Sequence, residues 1–192
     1  MSSKKVLSAD NPQGRLRIEP WYVSGFTDGE GSFHVALYRD PRMKSRIKII
    51  PEFHVSQLDK SKKVLEELVE FFECGYLKEN HRTNPKDKTF VYVVRDREDL
   101  LNKIIPFYEK YRLRTEKFGD FTTFAKIVRM MEKGLHNTDS GTKEIVSLAY
   151  TMNGGGRYRR VKLNDLFLKP SETIRRTPIE VSFKAKLKRK KI

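Results

Sequence analysis

Two carboxylates alternate with glycines in the stretch from Asp28 to Gly31. The residues before them, from Pro20 to Thr27, are predicted to form a short helix, because proline is favoured at the first helical position. The acids then lie at the helix C-terminus, where the negative end of the dipole disfavours a carboxylate by about 0.3–1 kcal/mol. A bound cation would offset that cost, which makes a metal site one interpretation. An ordinary glycine turn between a helix and a strand is the other.

The same helix carries small residues on one side. Gly25 and Gly29 are four positions apart and Ser24 lies beside them, so these residues share a helix face. A glycine inside a helix costs about 1 kcal/mol relative to alanine. Small residues let two backbones approach closely, and we therefore expect a partner element to pack on this face.

Strands and helices follow along the chain. Apolar and polar residues alternate from Phe33 to about Arg39, which is the periodicity of a strand. Further strands are predicted near residues 46–57, 75–80 and 89–94, and helices at 59–72, after 96, at 118–133 and at 137–152. Pro106 should end or kink the helix that Asp96 caps. This order predicts an α+β fold, with a four-stranded antiparallel sheet and helices on one face.

The stretch from Trp21 to Phe33 resembles the signature of the LAGLIDADG homing endonucleases. The likeness covers the helix, its small-residue face, the acidic end and the entry to the strand. It implies the αββαββα half-saddle of that family over about residues 20–152. It also implies that Glu30, with help from the backbone oxygen of Gly29, binds a divalent metal at the base of a pair of such helices.

One copy of the signature is present in the sequence, so the resemblance implies a homodimer with two-fold symmetry. The target is then a long, roughly palindromic double-stranded DNA with one half-site per subunit. Asp28 is given a supporting or helix-ending role at the dimer axis. We expect the dimer interface to contain Trp21, Ser24, Gly25, Asp28 and Gly29.

The resemblance also suggests the remaining catalytic residues. Gln57 ends the second strand and aligns with a residue that positions the attacking water, although a surface glutamine is the alternative. A cation should stabilise the charged transition state, and Arg112, Arg114 and Lys117 compete for this role, with Lys117 preferred. Oxygen ligands with open water positions suit Mg²⁺. We expect Mn²⁺ to substitute and Ca²⁺ to bind without supporting cleavage.

The composition is strongly basic. Forty lysines and arginines against 25 acids give a net charge of +15, and the sequence pI is about 9.9. Such a balance is typical of nucleic-acid-binding domains, although a generic basic protein shares it. No apolar run is long enough to span a bilayer and no secretory signal is visible, so an intracellular protein of the cytoplasm, nucleoid or an organelle is expected.

Polar and basic residues occupy one face of the predicted strands. A twisted antiparallel ribbon fits the major groove of B-DNA, which is roughly 12 Å wide, whereas plain solvent exposure is the alternative. Arg46 and Arg82 are assigned to phosphates. The expected DNA-binding residues are His34, Tyr38, Arg42, Arg46, Lys48, His54, Lys78, Asn80 and Arg82.

Residues 1–19 are predicted to form a flexible basic arm, and residues 153–192 a basic extension that is disordered or contributes a docked strand near 179–183. The leading function is a magnesium-dependent, site-specific DNA endonuclease that promotes the mobility of its host intron. An RNA-splicing maturase that binds intron RNA, or a non-cleaving regulator of the same fold, is the alternative. Histidine-based nuclease chemistry is not supported, because the four histidines show no metal-ligand spacing in the sequence.

Overall fold

The computed structural model of the chain describes residues 18–80, 86, 88–155, 159 and 162–167. Its contacts divide the chain into a unit of residues 1–159 and a second unit of residues 160–192. The first unit contains the sheet and the helices that cover it. The predicted arm, Arg82 and the strand expected near residues 179–183 lie outside the described residues.

Four strands form one antiparallel sheet. They are β1 (Gly31–Arg39), β2 (Ile47–Leu58), β3 (Tyr76–Glu79) and β4 (Thr89–Val94), and their order across the sheet is β1-β2-β4-β3. The register pairs Gly31 with Val55 and Phe53 with Val94. The predicted α+β fold is therefore confirmed.

Helices pack against one face of this sheet. Their bounds are α1 (Pro20–Glu30), α2 (Lys62–Phe72), α3 (Arg97–Asp99), α4 (Ile105–Lys110), α5 (Lys117–Glu132) and α6 (Asp139–Gly155). Residues Met152 to Gly154 at the end of α6 have non-helical backbone angles. The second unit contains a short helix, α7 (Leu163–Phe167), which the sequence did not predict.

The core lies between the helices and the sheet because alternate strand residues point into it. Phe33 is fully buried and its ring stacks on Phe53 at 5.0 Å between centroids. Tyr108 of α4 meets the edge of Phe33 at 5.3 Å. From α5, Phe121 and Phe124 pack on the same ring. This cluster joins the first strand to both helices that approach the end of α1.

One helix prediction was wrong in its bound. The first helix does not end at Thr27 but runs on to Glu30, so the acids belong to its last turn and not to a separate turn. The helix that Asp96 caps continues past Pro106, where the sequence predicted either an end or a kink. A π-helical turn at Leu100–Ile104 precedes the proline, and such a wide turn accommodates a residue that lacks an amide hydrogen.

Residues beyond position 152 close the outer edge of β1. The side-chain amide of Asn153 donates to the carbonyl oxygen of Phe33 at 3.0 Å, and Arg159 donates to that of Val35 at 2.9 Å. Arg159 also donates to the oxygen of Ala149 in α6 at 2.6 Å. An uncovered edge strand invites pairing with other chains, so these side chains protect the sheet. No described helix is long and apolar enough to cross a membrane.

Candidate active site

Glu30 ends α1 with its side chain exposed to solvent. Within the described residues its carboxylate takes part in no hydrogen bond or salt bridge. The next residue, Gly31, begins β1, and a Cβ atom there would lie only 2.5 Å from Cγ2 of Thr27. The passage from helix to strand therefore requires glycine, and it holds the acid at the tip of the helix.

The glycine face of α1 is uncovered by the part of the chain that the structure describes. A Cβ atom added at Gly25 or Gly29 would meet none of its atoms within 4 Å. Trp21, one turn before Gly25, is 58% exposed. No contact within the described residues therefore accounts for glycine at these two helical positions, which cost stability in isolation.

Ser24 lies differently from the two glycines. Its residue is 3% exposed, and its hydroxyl donates to the carbonyl oxygens of Tyr111 at 2.9 Å and of Arg112 at 3.3 Å. Thr27, one turn later, shares a hydrogen bond of 2.7 Å with the hydroxyl of Tyr108. These hydroxyls fasten α1 to its own chain, so the small side chain of Ser24 has a use that requires no second subunit.

Lys117 reaches the acidic end of α1 from the start of α5. Its ammonium donates to the carbonyl oxygens of Thr27 and Asp28, both at 2.8 Å. Burial lowers the pKa of Lys117, against the opposing effect of the Asp28, Glu30 and Asp120 charges. The ammonium thus supplies positive charge at the negative end of the helix dipole, beside Glu30.

The other two cations of this segment lie elsewhere. The guanidinium of Arg112 stands over the ring of Phe118 at 5.6 Å. Arg112 and Arg114 line a depression of about 220 Å³ together with Trp21, Gly25 and Asp28. Tertiary structure therefore brings Lys117 to the acidic helix end and places the two arginines along the uncovered side of α1.

Asp28 ties the end of α1 to the segment before α5. Its carboxylate accepts from the backbone amide of Arg114 at 2.7 Å and from the hydroxyl of Thr115 at 2.8 Å. Satisfying these donors orders the turn from which Lys117 projects. Asp28 therefore connects α1 to the segment that carries Lys117.

Gln57 lies near the same end of the sheet, although on a different element. Since Gly31 pairs with Val55, Gln57 is two residues further along β2, beyond the point where α1 passes into β1. It lines an open groove of about 410 Å³ with residues of α1 and α2, among them Tyr22, Phe26 and Lys63. The structure thus places the amide beside α1, on the helix-covered side of the sheet.

The strand residues assigned to DNA share the other face. His34 pairs with Glu52 and Tyr38 with Lys48 across β1 and β2, so all four side chains point away from the helices. Lys78 belongs to the same face through its pairing with Val91. Asn80 and Lys48 are exposed, and Tyr38 is 57% exposed.

The turn between β1 and β2 is held by an ion pair. The guanidinium of Arg42 donates to both oxygens of Asp40, at 2.9 and 2.8 Å. Hydrogen bonding to Arg42 lowers the pKa of Asp40 to about 2. Arg46 occupies a left-handed backbone conformation in this turn, with φ of 55°. Arg42, predicted to contact DNA, therefore also has a structural partner in the chain.

A cluster that the sequence analysis missed lies in the middle of this face. Glu52 is only 4% exposed, and one carboxylate oxygen, Oε1, forms a salt bridge with Arg95. The other, Oε2, is 2.7 Å from Nε2 of His54 and 3.7 Å from Nδ1 of His34. Nε2 of His54 is buried and not aligned as a hydrogen-bond donor, despite the short distance.

The electrostatics of this cluster follow from burial and charge. Burial, followed by repulsion from His54, lowers the pKa of His34 to about 4. Burial alone would raise the pKa of Glu52, but His54, Arg95 and His34 lower it on balance. Arg95 directly follows β4 and alternates with Val91 and Val93, which places it on the same face of the sheet. This alternation is the sequence signal that could have identified Arg95 as a member of the cluster.

Comparison with known proteins identifies a family. The sequence profile described as LAGLIDADG endonuclease matches residues 23–128. A probable intron-encoded endonuclease of Neurospora crassa is 35% identical over 140 residues, which is 72% of this chain and 30% of that protein. The chain therefore spans less than a third of the length of that curated relative.

Solved structures resemble the fold as well. The crystal structure of the homing endonuclease I-TnaI matches with a TM-score of 0.70 and 36% identity, covering 83% of this chain and all of that one. I-SmaMI, bound to an uncleaved DNA target in the presence of calcium ions, matches with a TM-score of 0.67 and 36% identity. That match covers 72% of this chain and 46% of I-SmaMI.

Proposed function

Because this chain belongs to the LAGLIDADG endonuclease family, we propose that it is a site-specific endonuclease that cuts both strands of a long, pseudo-palindromic DNA. Its intron-encoded relatives suggest that it promotes the mobility of a host intron inside the cell. The observation that carries the proposal is an exposed carboxylate, Glu30, at the tip of a helix whose glycine face has no partner among the described residues of its own chain.

A second copy of the chain would cover that face. Two α1 helices packed through Gly25 and Gly29 around a two-fold axis bring together the two Glu30 carboxylates, because both glycines lie on the outer side of the helix that Glu30 ends. Trp21 and Asp28 flank the same surface. Each subunit then presents one acid to one DNA strand. The homodimer therefore completes a site that a single chain holds only in half.

The donor set at the helix tip fits a hard divalent cation. The Glu30 carboxylate is free of salt bridges within the described residues, and the backbone oxygen of Gly29 belongs to the last turn of α1, whose carbonyls lack intrahelical partners. Oxygen ligands of this kind suit Mg²⁺ or Mn²⁺. Ca²⁺ would bind the same oxygens without supporting cleavage. A bound divalent ion supplies charge stabilisation for the phosphate and a water of lowered pKa.

The other residues act on the substrate from the two sides of Glu30. Lys117 holds an ammonium at the end of α1, where it can donate to a phosphate oxygen as negative charge develops in the transition state. Arg114, along the uncovered side of the helix, adds positive charge for the neighbouring phosphate. Gln57 offers an amide that can accept from the attacking water and orient it.

DNA would bind along the helix-free face of the sheet. His34, Tyr38, Lys48, His54 and Lys78 share that face. Lysine favours guanine edges in the major groove, and Arg46 and Arg82 are assigned to phosphates. Arg42 would hold the turn through Asp40 while its exposed guanidinium edge contacts DNA. Asn80, just after β3, favours adenine.

Selection of cleaved sites from a randomised DNA library tests the proposal. The protein should cut with Mg²⁺, and Glu30→Gln should lose cleavage while it still binds the selected site. Glu132→Gln removes an exposed acid near the far end of α5 and should cut normally. If the wild type binds a site tightly with Mg²⁺ present and never cuts it, the chain is a maturase or regulator of this fold and not a nuclease.

A further inference from the structure

The centre of the open sheet face contains three side chains whose types and positions suit a transition metal. His34, Glu52 and His54 each offer one ligand atom, and these atoms lie within 4.8 Å of one another. Two residues come from β2 and one from β1, so the cluster exists only because of the strand register. Glu30 has no part in it, since Glu30 ends α1.

We propose that His34, Glu52 and His54 form a second metal site, selective for Zn²⁺ or a similar transition metal. Imidazole nitrogens suit Zn²⁺, Ni²⁺ and Cu²⁺, whereas Mg²⁺ prefers sites made of oxygen alone. Two histidines and one carboxylate supply three ligands and leave the fourth position open. The site thus differs in chemistry from the oxygen site proposed at Glu30.

The geometry around Glu52 supports three ligands converging on one ion. In tetrahedral zinc sites with bonds of about 2.0–2.1 Å, neighbouring ligand atoms are about 3.3 Å apart. Oε2 of Glu52 is 2.7 Å from Nε2 of His54 and 3.7 Å from Nδ1 of His34, so the two distances bracket that value. The two imidazole rings are 5.2 Å apart and inclined at 56°. All three ligand atoms lie within 4.8 Å of one another, so side-chain rotations bring them to the tetrahedral spacing when an ion binds.

Two further observations distinguish the cluster from an ordinary ion pair. Nε2 of His54 is buried, and its 2.7 Å contact with Oε2 of Glu52 is its one polar contact within the described residues. Arg95 binds the opposite oxygen of Glu52 and leaves Oε2 facing the two histidines. A carboxylate ligand held in this way by an outer partner is common at metal sites.

Occupancy would change the charge of the DNA-facing surface. Glu52 places a buried carboxylate, paired with Arg95, in the centre of that face, and a bound dication adds two positive charges there. The ion would also link β1 to β2 through their side chains. A bound metal therefore stabilises the folded chain in proportion to its concentration.

Titration calorimetry with ZnCl₂ on tag-free, full-length Glu30→Gln protein tests the site, because that background removes the carboxylate at the helix tip. We expect one Zn²⁺ per chain and a melting temperature that rises with Zn²⁺ concentration. Co²⁺ should give the visible absorption of a tetrahedral site. Adding His34→Gln should weaken binding at least tenfold, and His34 is the safer position to alter because its side chain is 34% exposed.

His136→Gln is the matched control, since His136 lies in the turn Leu135–Asn137 between α5 and α6. It should leave the Zn²⁺ affinity unchanged in the same background. His54→Gln should act like His34→Gln, and melting curves without metal identify a folding defect. Absence of stoichiometric binding in the Glu30→Gln protein, or equal binding by the His34→Gln variant, would overturn the proposal and leave the cluster as an ion-pair network. Neither result affects the test of Glu30 cleavage.

Discussion

Replacement of Gly25 by leucine should have opposite effects on the stability of the folded monomer and on the affinity of the homodimer. A Cβ atom at Gly25 meets no described atom within 4 Å, so a larger side chain can begin there without a clash at its Cβ. Glycine is less favourable than alanine in a helix by about 0.8–1 kcal/mol, and leucine ranks just below alanine. The folded monomer should therefore become more stable, although the variant carries a bulky side chain on the face where a second α1 is expected.

The expected magnitudes have opposite signs in the two measurements. A gain of about 1 kcal/mol raises the melting temperature of a chain of this size by roughly 2–4 °C. Dimer affinity should fall at least tenfold, which corresponds to about 1.4 kcal/mol, because leucine prevents close approach of two helices. Cleavage of both strands should fall with it.

Sedimentation at micromolar concentration measures the assembly, and thermal unfolding at a concentration where both proteins are monomeric measures the fold. Gly119→Leu is the matched control, because Gly119 also lies in a helix with open space around its Cβ position. It should show the same gain in stability, with dimerisation retained. A Gly25→Leu protein that remains dimeric and cuts DNA at the normal rate refutes the reasoning.

Three further changes test individual contacts. Lys117→Met should reduce cleavage by about 10²–10³-fold, measured as a single-turnover rate with DNA binding as the control, because it removes a transition-state donor. Tyr108→Phe should cost about 1–3 kcal/mol of unfolding free energy in urea, since it leaves the buried Thr27 hydroxyl without its 2.7 Å partner. The depressed pKa of Asp40 contributes stability that is present above its unfolded pKa of 3.8 and is lost as the pH falls towards 2. In an acid titration, the free energy of unfolding of Arg42→Gln should therefore fall less steeply between pH 4 and 2 than that of the wild type.

Each of these three expectations can fail in a specific way. Normal cleavage by Lys117→Met would mean that this ammonium only caps the C-terminus of α1 and does not take part in catalysis. An unchanged unfolding free energy for Tyr108→Phe would mean that the Thr27 hydroxyl finds another partner. If Arg42→Gln and the wild type unfold identically between pH 4 and 2, the ion pair between Asp40 and Arg42 does not contribute to the stability of the turn.

Local patterns were enough for the fold class. Alternation in β1 and β2, with Phe33 and Phe53 on one face and His34 and His54 on the other, predicted a half-covered sheet, and the structure confirms it. The period of a strand or helix is a property of neighbouring residues, so the sequence contains it. Element ends were less accurate, because the end of α1 depends on donors from distant residues such as Lys117.

At the end of α1, too, the sequence predicted some features and tertiary packing decided others. The resemblance named Glu30 as the acid, and spacing placed Gly25 and Gly29 on one face. The resemblance preferred Lys117 among Arg112, Arg114 and Lys117 without fixing the register, since the three lie within six residues of one another and only the packing of α5 against α1 decides which one reaches the carbonyl oxygens.

The chain by itself thus determined its basic charge, most of its secondary structure and its α+β class, because those follow from residue type and period, and the resemblance to a family singled out Glu30. Tertiary structure alone decided that Lys117 lies at that helix end and that Ser24 turns into its own chain. It also decided that His34, Glu52 and His54 meet across two strands. The physical reason is that a contact between distant residues depends on register and packing, which no local pattern encodes.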